Sequence, residues 1–292
     1  MKLRDIISEG TDCLIASYPE REAREMVLAY LEYHIGTSRH THIIEPSYEV
    51  SDDKIGEIRS AFTRMVSGEP LQYVTGKAYF YGREFKVTPD VLIPRPETEL
   101  LCRYVIDYLQ LNPRPSVRIL DLCTGSGCIA WTLAMEIPGA EVWGVDISEG
   151  ALSVAVNQGI TEHERRAPEF IEADVLDISA PITYGGYPLS SVDILVSNPP
   201  YVMDSEKAVM RPNVLDYEPH LALFVPDNDP LLFYRAIAHR ASQLLKPGGY
   251  CIVEINEALG EETASVFRSS GFSEVCILAD LNDKHRFISF KL

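Results

Sequence analysis

Apolar positions in the first seventy residues recur with a helical period. Leu3, Ile6, Ile7, Leu14 and Ile15 form one set, and Ala23, Met26, Val27, Tyr30 and Leu31 a second. Ile55, Ile58, Phe62, Met65 and Val66 form a third. Spacings of three and four predict amphipathic helices that close into a small bundle. Pro19 is expected in the first turn of the second helix, and Gly36 and Pro46 bracket the break before the third. Residues 76–96 change character. Strand formers flank Gly82 over 78–87, as in a hairpin, and Pro94 and Pro96 then stiffen the backbone ahead of a helix expected over 97–110.

From Val117 onward, short apolar runs alternate with helical periods. Strands are expected at 117–122, 140–145, 169–173, 192–196 and 250–255, with helices at 128–136, 151–158, 231–245 and 261–270. Two last strands, 275–278 and 287–290, form a closing hairpin. This alternation predicts an α/β fold, a doubly wound, mostly parallel sheet with helices on both faces and an antiparallel strand at the far end. Three parts result: a helical bundle over 1–75, a hairpin and linker over 76–96, and an α/β domain over 97–292.

Composition narrows the partners. The chain has 292 residues, room for roughly two domains, and 26 Lys+Arg against 43 Asp+Glu give a net charge of −17. Such a surface repels phosphate backbones and weighs against a nucleic-acid substrate, though a local basic patch could override it; it suits a basic partner or a small ligand. No apolar run approaches the ~18 residues of a membrane span, and Asp5 and Glu9 argue against a signal peptide at the start. Six cysteines without a C-x-x-C pattern fit reduced thiols in the cytoplasm. His40 and His42 have no partner ligand at metal spacing, so no metal site is expected.

The chemistry concentrates at two strand ends. Asp121-Leu122-Cys123-Thr124-Gly125-Ser126-Gly127 lies where a strand turns into a helix, so its backbone can approach a ligand closely and helix-start N–H groups face it. Asp146 stands nineteen residues past Gly127, at the end of the next strand, where a carboxylate can accept both hydroxyls of a ribose. Gly125, Gly127 and Ala130 also satisfy the dinucleotide fingerprint. Asp121 would oppose a pyrophosphate, however, and with Asp174 after the third strand it favours an adenosine bearing a sulfonium and an amino-acid tail. At the second strand end, Asn198-Pro199-Pro200-Tyr201 is a stiff turn. The Asn198 side chain and the carbonyls of Asn198 and Pro199 can accept both hydrogens of a planar –NH2, and Tyr201 offers a flat face. Orienting such a nitrogen, whose lone pair is delocalised, is the main help a protein can give it toward an electrophilic methyl.

With these residues the chain resembles the class I S-adenosylmethionine-dependent methyltransferases, and within them the HemK/PrmC-type protein-(glutamine-N5) methyltransferases of peptide chain release factors. Further segments carry the likeness: Glu69–Gly76, Ile93-Pro94-Arg95-Pro96-Glu97-Thr98-Glu99, 217–223 and 229–234. The resemblance implies the seven-stranded sheet of that class, and S-adenosyl-L-methionine as cofactor with S-adenosyl-L-homocysteine as product. It places Asp121, Cys123, Thr124, Gly125, Ser126 and Gly127 around the methionine portion, Asp146 on the ribose, and Asp174 and Val175 beside the adenine. The family often has an aromatic residue where Val175 stands, so the packing here is expected to be aliphatic. Asn198 and Pro199 would bind the glutamine amide, Pro200 and Tyr201 would close the site, and Arg95 and Glu97 would help form the pocket wall. Cys123 replaces a more usual glycine, with little effect expected. A release factor would be held by the helical bundle of a cytoplasmic monomer, with no metal, membrane or direct nucleic-acid contact.

The implied reaction is a direct displacement in which the Gly-Gly-Gln amide nitrogen attacks the methyl and no residue need be a strong base. The nearest rival is an adenine-N6 DNA or RNA methyltransferase sharing Asn198–Tyr201; the charge of −17 and the lack of a Lys/Arg-rich recognition segment stand against it. A nicotinamide oxidoreductase lacks an evident nicotinamide partner residue, and a non-catalytic binding module would not need the intact turn.

Overall fold

The computed structural model of the chain describes residues 1–162 and 165–292. These divide into two compact units, one of Met1–Lys77 with Arg211–Tyr217 and the other of Ala78–Met210 with Glu218–Leu292.

The first unit is built on helices α1 (Leu3–Leu14), α2 (Glu20–Ile35) and α3 (Asp52–Val66). Their apolar stripes meet in a core that includes Leu3, Ile7, Val27, Leu31, Ile58 and Phe62. Gly10 makes close packing of α1 possible: a Cβ there would lie 2.6 Å from the Phe62 ring. Two expectations shift. Ile15 falls just past the end of α1 and is exposed, and Pro19 sits one position ahead of α2 as its cap, with the helix starting at Glu20. Residues 211–217 join this unit from far along the chain; Tyr217 donates to the Ser67 carbonyl at 2.8 Å.

Beyond this unit the chain runs through the paired strands β1 (Lys77–Phe80) and β2 (Arg83–Lys86), a 3-10 turn at Pro96–Thr98 and helix α4 (Glu99–Leu111). It then alternates β3 (Val117–Leu122), α5 (Cys128–Glu136), β4 (Ala140–Asp146), α6 (Glu149–Val156), β5 (Glu169–Glu172), β6 (Val192–Ser197), α7 (Leu232–Leu244), β7 (Leu245–Glu254), α8 (Gly260–Ser269), β8 (Ser273–Ala279) and β9 (His285–Lys291). The seven strands β3–β9 form one sheet in the order β8-β9-β7-β6-β3-β4-β5. Only β9 runs antiparallel to its neighbours. The expected doubly wound, mostly parallel sheet is therefore observed. Its central strands are buried on both faces: Leu120 and Leu122 enter one core, Val117 and Ile119 the other.

Several boundaries differ from the sequence pattern. The helix expected from residue 97 starts as a single 3-10 turn, so α4 begins at Glu99. Strand β7 begins at Leu245 rather than 250, with its register broken between Leu245 and Tyr250 where Lys246-Pro247-Gly248-Gly249 loops out. Both closing strands are longer than their apolar runs, because hydrogen bonding continues through polar residues at their ends. Among the described residues no helix is long and apolar enough to cross a membrane.

Connections from β3 and β6 leave adjacent strands for opposite sides of the sheet. Their carboxyl ends flank the topological switch point, where open α/β sheets bind ligands.

Candidate active site

A cavity of about 300 Å³ opens at that point, lined by residues from both strand ends. On the β3 side the chain turns sharply. Cys123, Gly125 and Gly127 all take left-handed backbone angles, with φ of 60°, 55° and 78°. At Gly125 a Cβ would meet nothing within 4 Å, so the backbone itself borders open space. Gly127 has the opposite surroundings: a Cβ would press on Phe170, Ala155 and Trp131 at 3.0–3.1 Å. One glycine clears room for a ligand and the other lets α5 pack onto its neighbours. Cys123 was expected to matter little. It is the one residue of the Cys123–Gly127 turn with a Cβ in a left-handed conformation.

Asp146 ties the turn together. Its carboxylate accepts the Gly125 N–H at 2.8 Å and the Ser148 N–H at 3.0 Å. Burial raises its pKa, and those backbone donors oppose the rise. Asp121 lies deeper and is wholly buried. Its Oδ2 accepts from Thr124 Oγ1 at 2.6 Å, while Oδ1 accepts no hydrogen bond among the described residues. Burial pushes its pKa up to about 7 against the Thr124 hydrogen bond. Gln158, unremarked in the sequence, supports the turn by donating to the Ser126 carbonyl at 2.9 Å and accepting the Lys86 N–H at 2.7 Å.

After β5, Asp174 caps its own turn by accepting the Leu176 N–H at 2.8 Å, and Val175 is buried. This loop hangs on Arg240 of α7, whose guanidinium donates to the carbonyls of Asp174, Val175, Asp177 and Ala180. Arg240 is 2% exposed, and burial lowers its pKa. A signal for it existed: spacings of three, one and three put Ile237, Arg240, Ala241 and Leu244 on one helix face, so the arginine interrupts an apolar stripe.

On the β6 side, Asn198 and Pro200 line the cavity. The Asn198 amide donates to Thr98 Oγ1 at 3.3 Å, and Thr98 donates to Glu254 Oε2 at 2.7 Å. Tyr201 turns away from the cavity: its hydroxyl donates to Glu254 Oε1 at 3.0 Å. Glu254 is fully buried at the end of β7; burial raises its pKa, opposed by those two hydroxyls and by the charge of Arg286. Sequence reasoning missed Glu254, though it is the lone charge in the apolar run 250–255. Arg95 lines the cavity and pairs at 2.6 Å with Glu218, whose other oxygen accepts the Ile93 N–H at 3.2 Å.

Of the residues singled out in the sequence, Arg95, Cys123, Thr124, Gly125, Ser126, Asp146, Asp174, Val175, Asn198 and Pro200 line the one cavity. Asp121, Gly127, Pro199 and Tyr201 lie close to these lining residues in the chain without lining the cavity themselves, and Glu97 is exposed to solvent. Phe233 and Leu221 also line it, from segments in which the sequence assigned no role.

The cavity suits S-adenosylmethionine. Asp146 spends two of its roughly four acceptor positions on backbone and keeps two for a diol. Ile129, Ala151, Ala173, Val175, Leu176 and Phe233 offer an apolar lining for a planar base. The carboxyl of Asp121, buried at the base of the turn, and the unfilled space at Gly125 fit a cationic amino-acid portion.

Comparison with known proteins agrees. A family model described as a methyltransferase domain matches residues 113–280, and one described as the PrmC N-terminal domain matches residues 5–76. The release factor glutamine methyltransferase of Bacteroides thetaiotaomicron is 42% identical over 234 residues, 80% of each chain. That of Flavobacterium psychrophilum is 34% identical over 289 residues, 99% of this chain and 98% of its own. Among solved structures, the hMettl16 catalytic domain in complex with MAT2A 3'UTR hairpin 6 shares the fold, with a TM-score of 0.54 and 14% identity over 84% of this chain and 83% of its own. With both family models matched along one chain, and relatives this similar over nearly its whole length, the chain belongs to the release factor glutamine methyltransferase family.

Proposed function

We propose that the chain transfers a methyl group from S-adenosylmethionine to the side-chain amide nitrogen of the glutamine in the Gly-Gly-Gln motif of peptide chain release factors. The observation that carries this reading is that Asn198 and the Gly125–Asp146 pair border the same cavity from opposite sides of the switch point. When bound, S-adenosylmethionine supplies an electrophilic methyl on a sulfonium.

The residues divide the work. The turn from Cys123 to Gly127 holds the amino-acid portion, Asp146 accepts from the ribose, and Asp174 and Val175 border the adenine. Asn198 Oδ1 and the Pro199 carbonyl accept the two N–H bonds of the substrate amide, which aims its nitrogen at the methyl. A hydrogen bond from each N–H to a carbonyl oxygen also draws positive charge off the nitrogen as its new bond forms. As the nitrogen takes the methyl, the S–CH3 bond would break and S-adenosylhomocysteine would leave; the N–H proton, acidified by the new bond, would pass to water through the hydrogen bond to Asn198, so no residue is assigned as a strong base. The helical unit, with net acidic surroundings to match a basic partner, is the part we assign to gripping the release factor.

The test is to incubate the protein with S-adenosylmethionine and a release factor and to weigh the Gly-Gly-Gln peptide by mass spectrometry. One added methyl on the glutamine is expected. Transfer to DNA or RNA instead, or to neither substrate, sinks the reading.

A further inference from the structure

An asparagine side chain carries a carbonyl oxygen and an NH2 of nearly equal size, and only the oxygen suits the N–H of a substrate amide. What decides which of them is offered to a substrate is the neighbour of Asn198 in the cavity wall. Its Nδ2 is 3.3 Å from Thr98 Oγ1. Thr98 is 2% exposed, and its hydroxyl lies 2.7 Å from Glu254 Oε2. The Tyr201 hydroxyl lies 3.0 Å from the other oxygen, Oε1.

A carboxylate has no hydrogen to give. Each hydroxyl therefore spends its single hydrogen on Glu254, and Thr98 Oγ1 has only lone pairs left for Asn198. The NH2 of Asn198 must face Thr98, which leaves Oδ1 as the group free for a substrate in the cavity that both residues line. In the reverse orientation two acceptors would meet with no hydrogen between them, at a cost of about 1–3 kcal/mol for buried groups. The hub itself is held in place: Tyr234 donates to the Glu254 carbonyl at 3.3 Å, and against burial, which raises the carboxyl's pKa, the Thr98 and Tyr201 hydroxyls and the charge of Arg286 favour its ionised form. One buried carboxylate thus holds both ends of the Asn198–Tyr201 turn.

We propose that Thr98 and Glu254 are positioning residues for the transfer: the carboxylate, acting through the Thr98 hydroxyl, presents Asn198 with its oxygen toward the substrate and so makes the site select an amide over a carboxylate. The inference rests on the functional reading above. A glutamine side chain has N–H groups to offer Oδ1; a glutamate offers only acceptors and meets it lone pair against lone pair.

Thr98→Val keeps the shape of the side chain and removes both hydrogen bonds, and Thr98→Ser keeps the hydroxyl. The experiment measures kcat on a release factor, inhibition by the same factor with its motif changed to Gly-Gly-Glu, and affinity for S-adenosylhomocysteine. For Thr98→Val we expect kcat to fall about 10- to 100-fold. Preference for the Gln over the Glu factor should fall by about tenfold, and S-adenosylhomocysteine affinity should stay within about threefold. Thr98→Ser should restore the rate and the preference. Glu254→Gln, which puts an N–H in the hub, should weaken the preference in the same direction and guards against a folding defect in Thr98→Val. Wild-type transfer with an unchanged Gln-to-Glu preference in both Thr98→Val and Glu254→Gln overturns this proposal alone, as does a Thr98→Ser variant no better than Thr98→Val. A wild-type protein that does not methylate the Gly-Gly-Gln factor overturns the functional reading instead.

Discussion

The two strand ends that meet at the cavity are built by different means. At the end of β3 the ligand surface is backbone: three left-handed positions within five residues, with Asp146 accepting the Gly125 N–H of the turn itself. At the end of β6 it is a side chain, Asn198, held through Thr98 by Glu254. A backbone cradle is fixed by local conformation, and a substitution disturbs it through φ or sterics. A side-chain acceptor is fixed by a relay across the fold, and a substitution disturbs it through hydrogen-bond polarity. The difference suits two tasks. Holding a cofactor common to many reactions needs shape, whereas choosing one substrate amide needs a particular oxygen in a particular direction.

The sharpest way to break the comparison is to empty one side and ask whether the other notices. Asn198→Ala removes the acceptor and leaves the turn after β3 intact. Transfer to the release factor is expected to fall about 100- to 1000-fold, the loss seen when one preorganised hydrogen-bonding group is removed from a reacting centre. Calorimetric affinity for S-adenosylhomocysteine should be unchanged within error. Equal loss of binding and turnover would mean that the two sides are not separable.

Arg240→Met provides the reciprocal case. The variant withdraws the guanidinium from the four carbonyls of the 174–180 loop while keeping an apolar stem of similar length. Unsatisfied buried carbonyls cost about 1–3 kcal/mol each, but a surface loop can turn some of them to water. A net destabilisation of about 2–3 kcal/mol is expected in urea unfolding. S-adenosylhomocysteine should bind more weakly, because Asp174 and Val175 ride on this loop, while kcat at saturating cofactor should hold. A fall in kcat with unaltered affinity would place Arg240 on the wrong side of the comparison.

How much of this could be read from the sequence follows the same division. Local devices were legible. Gly125, Gly127 and Asp146 announce a turn and its acid within a short stretch, and Asn198–Tyr201 is four adjacent residues. Short apolar runs gave the sheet and period-three-to-four patterns the bundle, because burial on both faces of a strand and on one face of a helix imposes those patterns directly. The supports were not legible, because each acts over a long separation. Thr98 reaches Glu254 across 156 positions, and Arg240 reaches Asp174 across 66. Each left only the trace of a charge on an apolar strand or helix face, which does not say whom it meets. Residues 211–217 joining the helical unit left no trace, since Tyr217 looks like any loop tyrosine until Ser67 is found beside it.

The smallest effect tests the backbone side most directly. Cys123 holds φ at 60° with a Cβ present, a conformation that costs a residue other than glycine roughly 1–2 kcal/mol. Cys123→Gly removes that cost, but it frees the unfolded chain by about 0.5–1 kcal/mol and gives up the contacts of a half-buried thiol. These terms nearly cancel, so Gly alone should lie within about 0.5 kcal/mol of the native residue. Cys123→Ala keeps the Cβ, the φ and most of the strain, and still loses the thiol contacts. Glycine should therefore be the more stable of the two variants by about 1 kcal/mol, the reverse of the ordinary order in which alanine exceeds glycine. Paired urea titrations of the two variants measure that difference with the thiol absent from both. Alanine more stable than glycine would show that the left-handed turn is not what holds this end of the cavity.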